Sequence, residues 1–143
     1  MEILSASILD LSALRKLEHL CFEKDAWSLF DLIAVLSWPD VVRLKAVDTD
    51  VMIGFVAGEK RSSQGSGWIA TLAVDPHYQR RGIGRALLKM CEERLEVPRI
   101  KLTVRISNQV AISLYEKEGY RTVDIWARYY NDGEDGLVME KSL

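Results

Sequence analysis

Residues 79–85, Gln79-Arg80-Arg81-Gly82-Ile83-Gly84-Arg85, bring three arginines and two glycines together directly ahead of an amphipathic run. The apolar positions of that run, Ile83, Ala86, Leu87, Met90 and Leu95, recur at helical spacing, so the segment reads as a turn that opens a helix. The first amide groups of a helix have no partner within it, and a small anion satisfies them. The chemistry this predicts is phosphate binding. A Gly-x-Gly pair alone is weak evidence, because glycine turns between strand and helix are common, and the arginines also suit a solvated loop. There is no Gly-Lys-Ser/Thr, which excludes a nucleotide P-loop, and the missing third glycine and downstream acid argue against a dinucleotide site.

A second group of chemically able residues lies at Ser107-Asn108 and Ala111-Ile112-Ser113-Leu114-Tyr115. Asn108 and Tyr115 are two helical turns apart and therefore share one face with Ala111 and Ile112. A tyrosine there is either a proton donor or a core aromatic with a satisfied hydroxyl. Cys21 and Cys91 sit at apolar helical positions and read as buried free thiols. His19 and His77 are far apart, with no paired cysteine or histidine spacing, so no metal is expected.

These residues need elements to position them. A strand is predicted over 2–7, then a helix over 10–21 with Leu11, Leu14, Leu17 and Cys21 on one face behind an Asp10 cap. Ser28 and Asp31 open a second helix in a capping-box-like arrangement, and it ends before Pro39. Val41 to Val47 and Val51 to Gly58 form a hairpin through Asp48-Thr49-Asp50. A turn over 61–67 leads to a strand from Trp68 to Val74. After the glycine turn and its helix, Pro98 breaks the chain. Residues 99–106 then alternate, with Ile100, Leu102 and Val104 on one face and Lys101, Thr103 and Arg105 on the other. Ser107 or Asn108 caps a short helix that stops at Gly119, and 120–130 with 137–141 make a last hairpin around an acidic turn. The order is β-α-α-β-β-β-α-β-α-β-β, an α+β fold around one mixed central sheet, with residues 1–143 as a single domain.

Bulk properties agree with a small-molecule anion as partner. The chain has 143 residues and a net charge of −2, so the arginine cluster is local rather than part of a basic surface, and nucleic acid is not expected. The longest apolar stretches, such as Leu32 to Trp38, fall far short of a membrane span, and Glu2 and Asp10 stand where a secretion signal would be basic and apolar. A cytoplasmic protein with no membrane partner is expected.

Together, Gln79-x-x-Gly82-x-Gly84 and Ser107-Asn108-x-x-Ala111-x-x-Leu114-Tyr115-x-x-x-Gly119-Tyr120 resemble the Gcn5-related N-acetyltransferases, and the element order matches theirs along essentially the whole chain. Phe22, Trp27-Ser28, Val104-Arg105 and Ala127-Arg128-Tyr129-Tyr130 make it most similar to the ribosomal-protein-alanine and N-terminal acetyltransferases. The resemblance implies acetyl-coenzyme A as donor. Leu72, Ala73 and Val74 would pair with its pantetheine arm, and the amides of Arg80, Arg81, Gly82, Ile83, Gly84 and Arg85 would hold the pyrophosphate. Asn108 would contact the cofactor and the Tyr115 hydroxyl would protonate the departing thiolate. Phe22, Trp27, Tyr129 and Tyr130 would bind the acceptor, a protein or peptide N-terminus. An amide near Leu72 or Ala73 would meet the oxyanion.

The chain departs from these relatives at the position ahead of Val104. Glutamate or histidine stands there in some of them; here it is Thr103, and Trp68 stands where others carry tyrosine. Neither is a base near neutral pH. An α-amine with a pKa near 8 is roughly one-tenth neutral at pH 7, against about 0.04% for a lysine amine, which favours N-terminal acceptors. Glu23, Asp25 and Glu59 are possible remote bases or plain solvated charges. Tyr129 and Tyr130 also suit ordinary packing across a hairpin, and Asp132, Glu134 and Asp135 suit either a cationic peptide or a hydrated turn. Two other functions fit the same cofactor motifs: acetylation of a small-molecule amine, and a non-catalytic acyl-coenzyme A-binding module.

Overall fold

The computed structural model describes residues 1–22, 25–61 and 65–143. Its strands and helices are β1 (Glu2–Ser5), α1 (Leu11–Cys21), α2 (Leu29–Ser37), β2 (Val41–Asp48), β3 (Val51–Arg61), β4 (Ser66–Val74), α3 (Ile83–Leu95), β5 (Arg99–Arg105), α4 (Gln109–Lys117), β6 (Arg121–Trp126) and β7 (Gly136–Ser142). This is the expected order, and the strands form one mixed seven-stranded sheet ordered β1-β2-β3-β4-β5-β7-β6. The chain divides into two compact units, Met1–Lys60 with Ala70–Glu96 and Arg61–Ile69 with Val97–Leu143, so β4 contributes to both.

In the first unit, β1, β2 and β3 are successive antiparallel neighbours. Thr49 and Asp50 both take left-handed backbone, with φ of 50° and 63°, which gives the β2–β3 hairpin a two-residue turn whose twist suits the flanking strands. Leu14 and Leu17 of α1 and Leu32, Val35 and Leu36 of α2 bury against Phe55 and Ala57 of β3. Helix α3 buries Leu87, Leu88, Cys91 and Leu95. A Cβ at Gly58 would lie 2.7 Å from Cys91 Sγ and 2.9 Å from Leu95 Cδ1, so β3 is glycine where α3 approaches its backbone.

Two local expectations change here. Asp10 makes no side-chain cap to α1; a 3-10 turn over Ile8–Asp10 precedes the helix, with Ser7 accepting from the Leu9 amide and Asp10 accepting from Ser7. The turn is a reciprocal capping box, and it ends β1 at Ser5 rather than Ser7. Asp10 is also drawn sideways to Lys45, 2.8 Å away. Helix α2 follows its sequence signals: Ser28 accepts from the Asp31 amide, and Trp38, ahead of Pro39, is extended at φ −70° and ψ 147°.

In the second unit β4 and β5 run parallel, with Gly67 opposite Ile100 and Trp68 opposite Lys101. β5 pairs antiparallel with β7, which in turn pairs with β6. Ile100, Leu102 and Val104 are buried, as the alternation requires. β6 ends at Trp126, short of the expected Tyr130, because Arg128 turns left-handed (φ 54°) and gives its amide to Asp135.

Candidate active site

The basic turn is built in the first unit. After β4, Asp75 caps a 3-10 turn over Pro76–Tyr78, accepting from the His77 amide at 2.9 Å, a bond that holds its carboxyl below the usual range. Gln79 Nε2 donates to the Val74 carbonyl at 3.2 Å, which also accepts the Cys21 thiol at 3.3 Å. Arg80 and Gly82 are both left-handed, at φ 64° and 80°. Such residues set close together in a turn curl successive N–H groups into a concave nest for an anion. The first helical bond of α3 runs from the Ala86 amide to the Gly82 carbonyl at 3.0 Å, so the amides of Ile83, Gly84 and Arg85 precede the ladder. Ile83 is buried and anchors the helix start, while nothing lies within 4 Å of a Cβ placed on Gly82. Arg81 lies over the Tyr78 ring, 5.0 Å from its centroid.

Asn108 and Tyr115 lie in the second unit, on α4. Asn108 is its N-cap, with Oδ1 accepting from the Ala111 amide at 3.2 Å. Tyr115 is buried on the inner face of α4, and burial, with Tyr130 adding to it, pushes the phenol up to about 12. It is therefore protonated throughout the neutral range. The helix ends in a Schellman motif, with Gly119 at φ 98°, the Gly119 amide on the Glu116 carbonyl and the Tyr120 amide on that of Tyr115.

Tyr129 and Tyr130 sit in the β6–β7 connection. Trp68 stacks on Trp126 at 5.9 Å, Trp126 meets Tyr129 at 5.3 Å, and Tyr129 meets Tyr130 edge-on at 5.0 Å. Arg105 lies over the Tyr130 ring at 4.3 Å and ion-pairs with Asp132 at 2.9 Å and Glu134 at 2.7 Å. Glu134 further accepts from the Ser107 amide, and its bonds to the Ser107 hydroxyl, to Arg105 and to that amide lower its pKa. The acidic turn is thus held by one arginine of β5. Thr103 is half-buried, and Gly136 makes room for its methyl, since a Cβ there would lie 2.9 Å from Thr103 Cγ2.

Phe22 and Trp27 pack half-buried against the core of the first unit, and Trp27 lines a cavity of about 350 Å³ with Asp31, Val35, Trp38 and Glu59. Glu23 lies outside the described residues; Asp25 and Glu59 are half-buried. One acid escaped the sequence reading. Glu18 is fully buried on α1, and desolvation raises its carboxyl to about 7. Its Oε2 accepts from Thr71 Oγ1 at 3.4 Å, while Oε1 has no hydrogen-bond partner among the described residues. The available signal was its place four residues after Leu14, inside the apolar stripe that includes Leu17 and Cys21. Among the described residues no cluster suited to a metal ion occurs, and no helix is long and apolar enough to cross a membrane.

A sequence profile of the Acetyltransferase (GNAT) family matches residues 11–120, and the chain belongs to that family. The catalytic subunit NAA10 of the N-terminal acetyltransferase A complex of Arabidopsis thaliana is 31% identical, over 96% of this chain and 76% of its own. The ribosomal protein bS18-alanine N-acetyltransferase of Escherichia coli K12 is 47% identical over 48% of this chain and 50% of its own. The crystal structure of the ribosomal-protein-S18-alanine N-acetyltransferase from Escherichia coli superimposes with a TM-score of 0.88 at 31% identity, covering 99% of this chain and 92% of that one. The protein is an acetyl-coenzyme A-dependent N-acetyltransferase.

Proposed function

We propose that the acceptor is the N-terminal α-amine of a protein, such as a ribosomal protein, and that residues 1–143 act as one cytoplasmic acetyltransferase domain. The observation that carries the donor half is the backbone nest over 80–85, whose left-handed Arg80 and Gly82 present the first amides of α3 to a pyrophosphate. In this reading Leu72, Ala73 and Val74 pair with the pantetheine arm, Asn108 contacts the cofactor, and Tyr115 gives its proton to the thiolate. Phe22, Trp27, Tyr129 and Tyr130 bind the peptide.

The acceptor half is supported by the named activities of relatives in Arabidopsis thaliana and Escherichia coli. Transfer is direct: the amine nitrogen bonds to the thioester carbonyl, the C–S bond breaks, and no acyl-enzyme intervenes. Neither cysteine is a nucleophile, since burial raises Cys21 to about 11 and Cys91 to about 12. Orienting amine and thioester together contributes about 7 kcal/mol or more in the best cases. The test is mass spectrometry of N-terminal peptides incubated with acetyl-coenzyme A and the protein, beside matched peptides that are blocked at the N-terminus and contain an internal lysine. Acetylation of the free N-terminus alone is expected; comparable turnover on the internal lysine, or turnover only on small polyamines, would overturn the acceptor assignment.

A further inference from the structure

Acetyl transfer starts from an ammonium that must lose a proton before its nitrogen attacks, and Thr103 and Trp68 offer no base for this. We propose that Glu18, through the hydroxyl of Thr71, is the proton acceptor for the incoming amine. The inference rests on the acetyl-transfer reading of the site and deepens it.

Glu18 is the only fully buried carboxylate among the described residues, and its Oε1 is left without a partner. A buried, half-satisfied acid is costly, and a leucine would fill the same place in α1 without that cost. Its one hydrogen bond among the described residues comes from Thr71, half-buried on β4 next to Leu72, where the thioester arm is assigned. Thr71 thus connects a carboxyl shielded from solvent to the strand that presents the donor. Burial raises the Glu18 carboxyl, and among the described residues the Thr71 hydrogen bond is what opposes it. Cys21 on the same helix stays a neutral thiol on the Val74 carbonyl, and the core that α1 enters is Leu32 and Val35 from α2, Phe55 from β3 and Ala73 from β4. Asp75 beyond β4 acts on Cys21, and Lys16 acts on Asp75. The acid therefore has a pKa set by burial, raised to about 7, which suits proton exchange with an α-amine at neutral pH.

The proton balance is complete without a co-reactant. The ammonium gives up two protons in becoming an amide. One passes to the Thr71 oxygen as the Thr71 hydroxyl proton passes to Glu18, and it returns to solvent between turnovers. The other replaces the proton that Tyr115 gives to the thiolate. A C–N bond forms, a C–S bond breaks, and nothing is oxidised or reduced. Since Glu18 acts through Thr71, it is a positioning residue for the proton rather than a group that touches substrate.

The test is the pH dependence of kcat/KM for Glu18→Gln and Thr71→Val beside the unaltered protein, with acetyl-coenzyme A affinity measured by calorimetry. The unaltered protein is expected to show an acid limb near pH 7; each variant should fall about 100-fold at pH 7 and have its limb displaced upward to that of the acceptor ammonium, with cofactor affinity unchanged. The double variant should be no worse than either single one. Thr71→Val keeps shape and removes the relay, so it decides the matter if Glu18→Gln fails to fold. An acid limb that stays near pH 7 in Thr71→Val, or a loss explained by cofactor affinity alone, overturns the proposal. The comparison holds on whichever amine the protein acetylates, so failure of the N-terminal acceptor assignment stays distinguishable.

Discussion

The amide of Tyr120 donates to the carbonyl of Tyr115 at 2.9 Å, and the two rings meet edge-on at 5.8 Å. The residue assigned as proton donor is thus held at its backbone and at its ring by one neighbour across the end of α4. Removing only its hydroxyl should leave this arrangement intact. Tyr115→Phe is expected to unfold at nearly the same temperature, to bind acetyl-coenzyme A unchanged, and to lose about 100-fold in single-turnover rate, as measured by rapid quench. An unchanged chemical step would remove Tyr115 from the mechanism.

Glu18 makes a separate prediction for stability. Its carboxyl is raised from 4.5 to about 7 on folding, so the protonated form is favoured in the folded state. The stability linked to this group is fully present below about pH 4.5 and is lost as pH rises through 7. Glu18→Gln should therefore match the unaltered protein at pH 4.5 and exceed it at pH 8 by on the order of 3 kcal/mol, read from urea melts at both pH values. A variant that is more stable and less active would separate the functional cost of this acid from its structural one. Equal melts at pH 8 would show that no charge is buried there.

Gly58→Ala puts a methyl 2.7 Å from Cys91 Sγ, against a helix that buries Leu87 and Leu95 at the same face. Overpacking of this kind costs about 1–3 kcal/mol. The urea midpoint should fall accordingly, and Cys91→Ala, by vacating the sulfur position, should restore part of the loss in the double variant. Additive losses would mean that the strain is taken up elsewhere.

Arg105→Ala removes the shared partner of Asp132 and Glu134 and the cation over Tyr130. The amides of Ser107, Arg128 and Glu134 should then exchange faster in hydrogen–deuterium exchange, and KM for the acceptor peptide should rise with cofactor affinity unchanged. Were exchange across 128–135 unaltered, the turn would be held by its own Asx bonds instead.

The element order was legible because it rests on local signals. The period of 3.6 in α1 and α3, the alternation of Ile100, Leu102 and Val104, and the breaks at Pro39 and Pro98 are all written in consecutive residues. Asn108 was among the capping residues foreseen for α4, and it does cap it. What escaped depends on residues distant in the chain. Glu18 lies within the apolar stripe of α1, but its partner Thr71 stands 53 residues on. Asp132 and Glu134 read as a hydrated turn until Arg105, nearly thirty residues earlier, is seen to pair with both. The stack of Trp68 on Trp126 has no periodic signature at all. At Asp10 the local signal misled, because Ser7 and Lys45 compete for the same carboxylate.

The Val74 carbonyl, shared by the Cys21 thiol and the Gln79 amide, has a thermodynamic consequence. One oxygen fastens the last turn of α1 at one side and the entrance to the anion nest at the other. Either donor alone still satisfies that oxygen, so removing both the Cys21 thiol and the Gln79 amide should cost more stability than the sum of the two single removals.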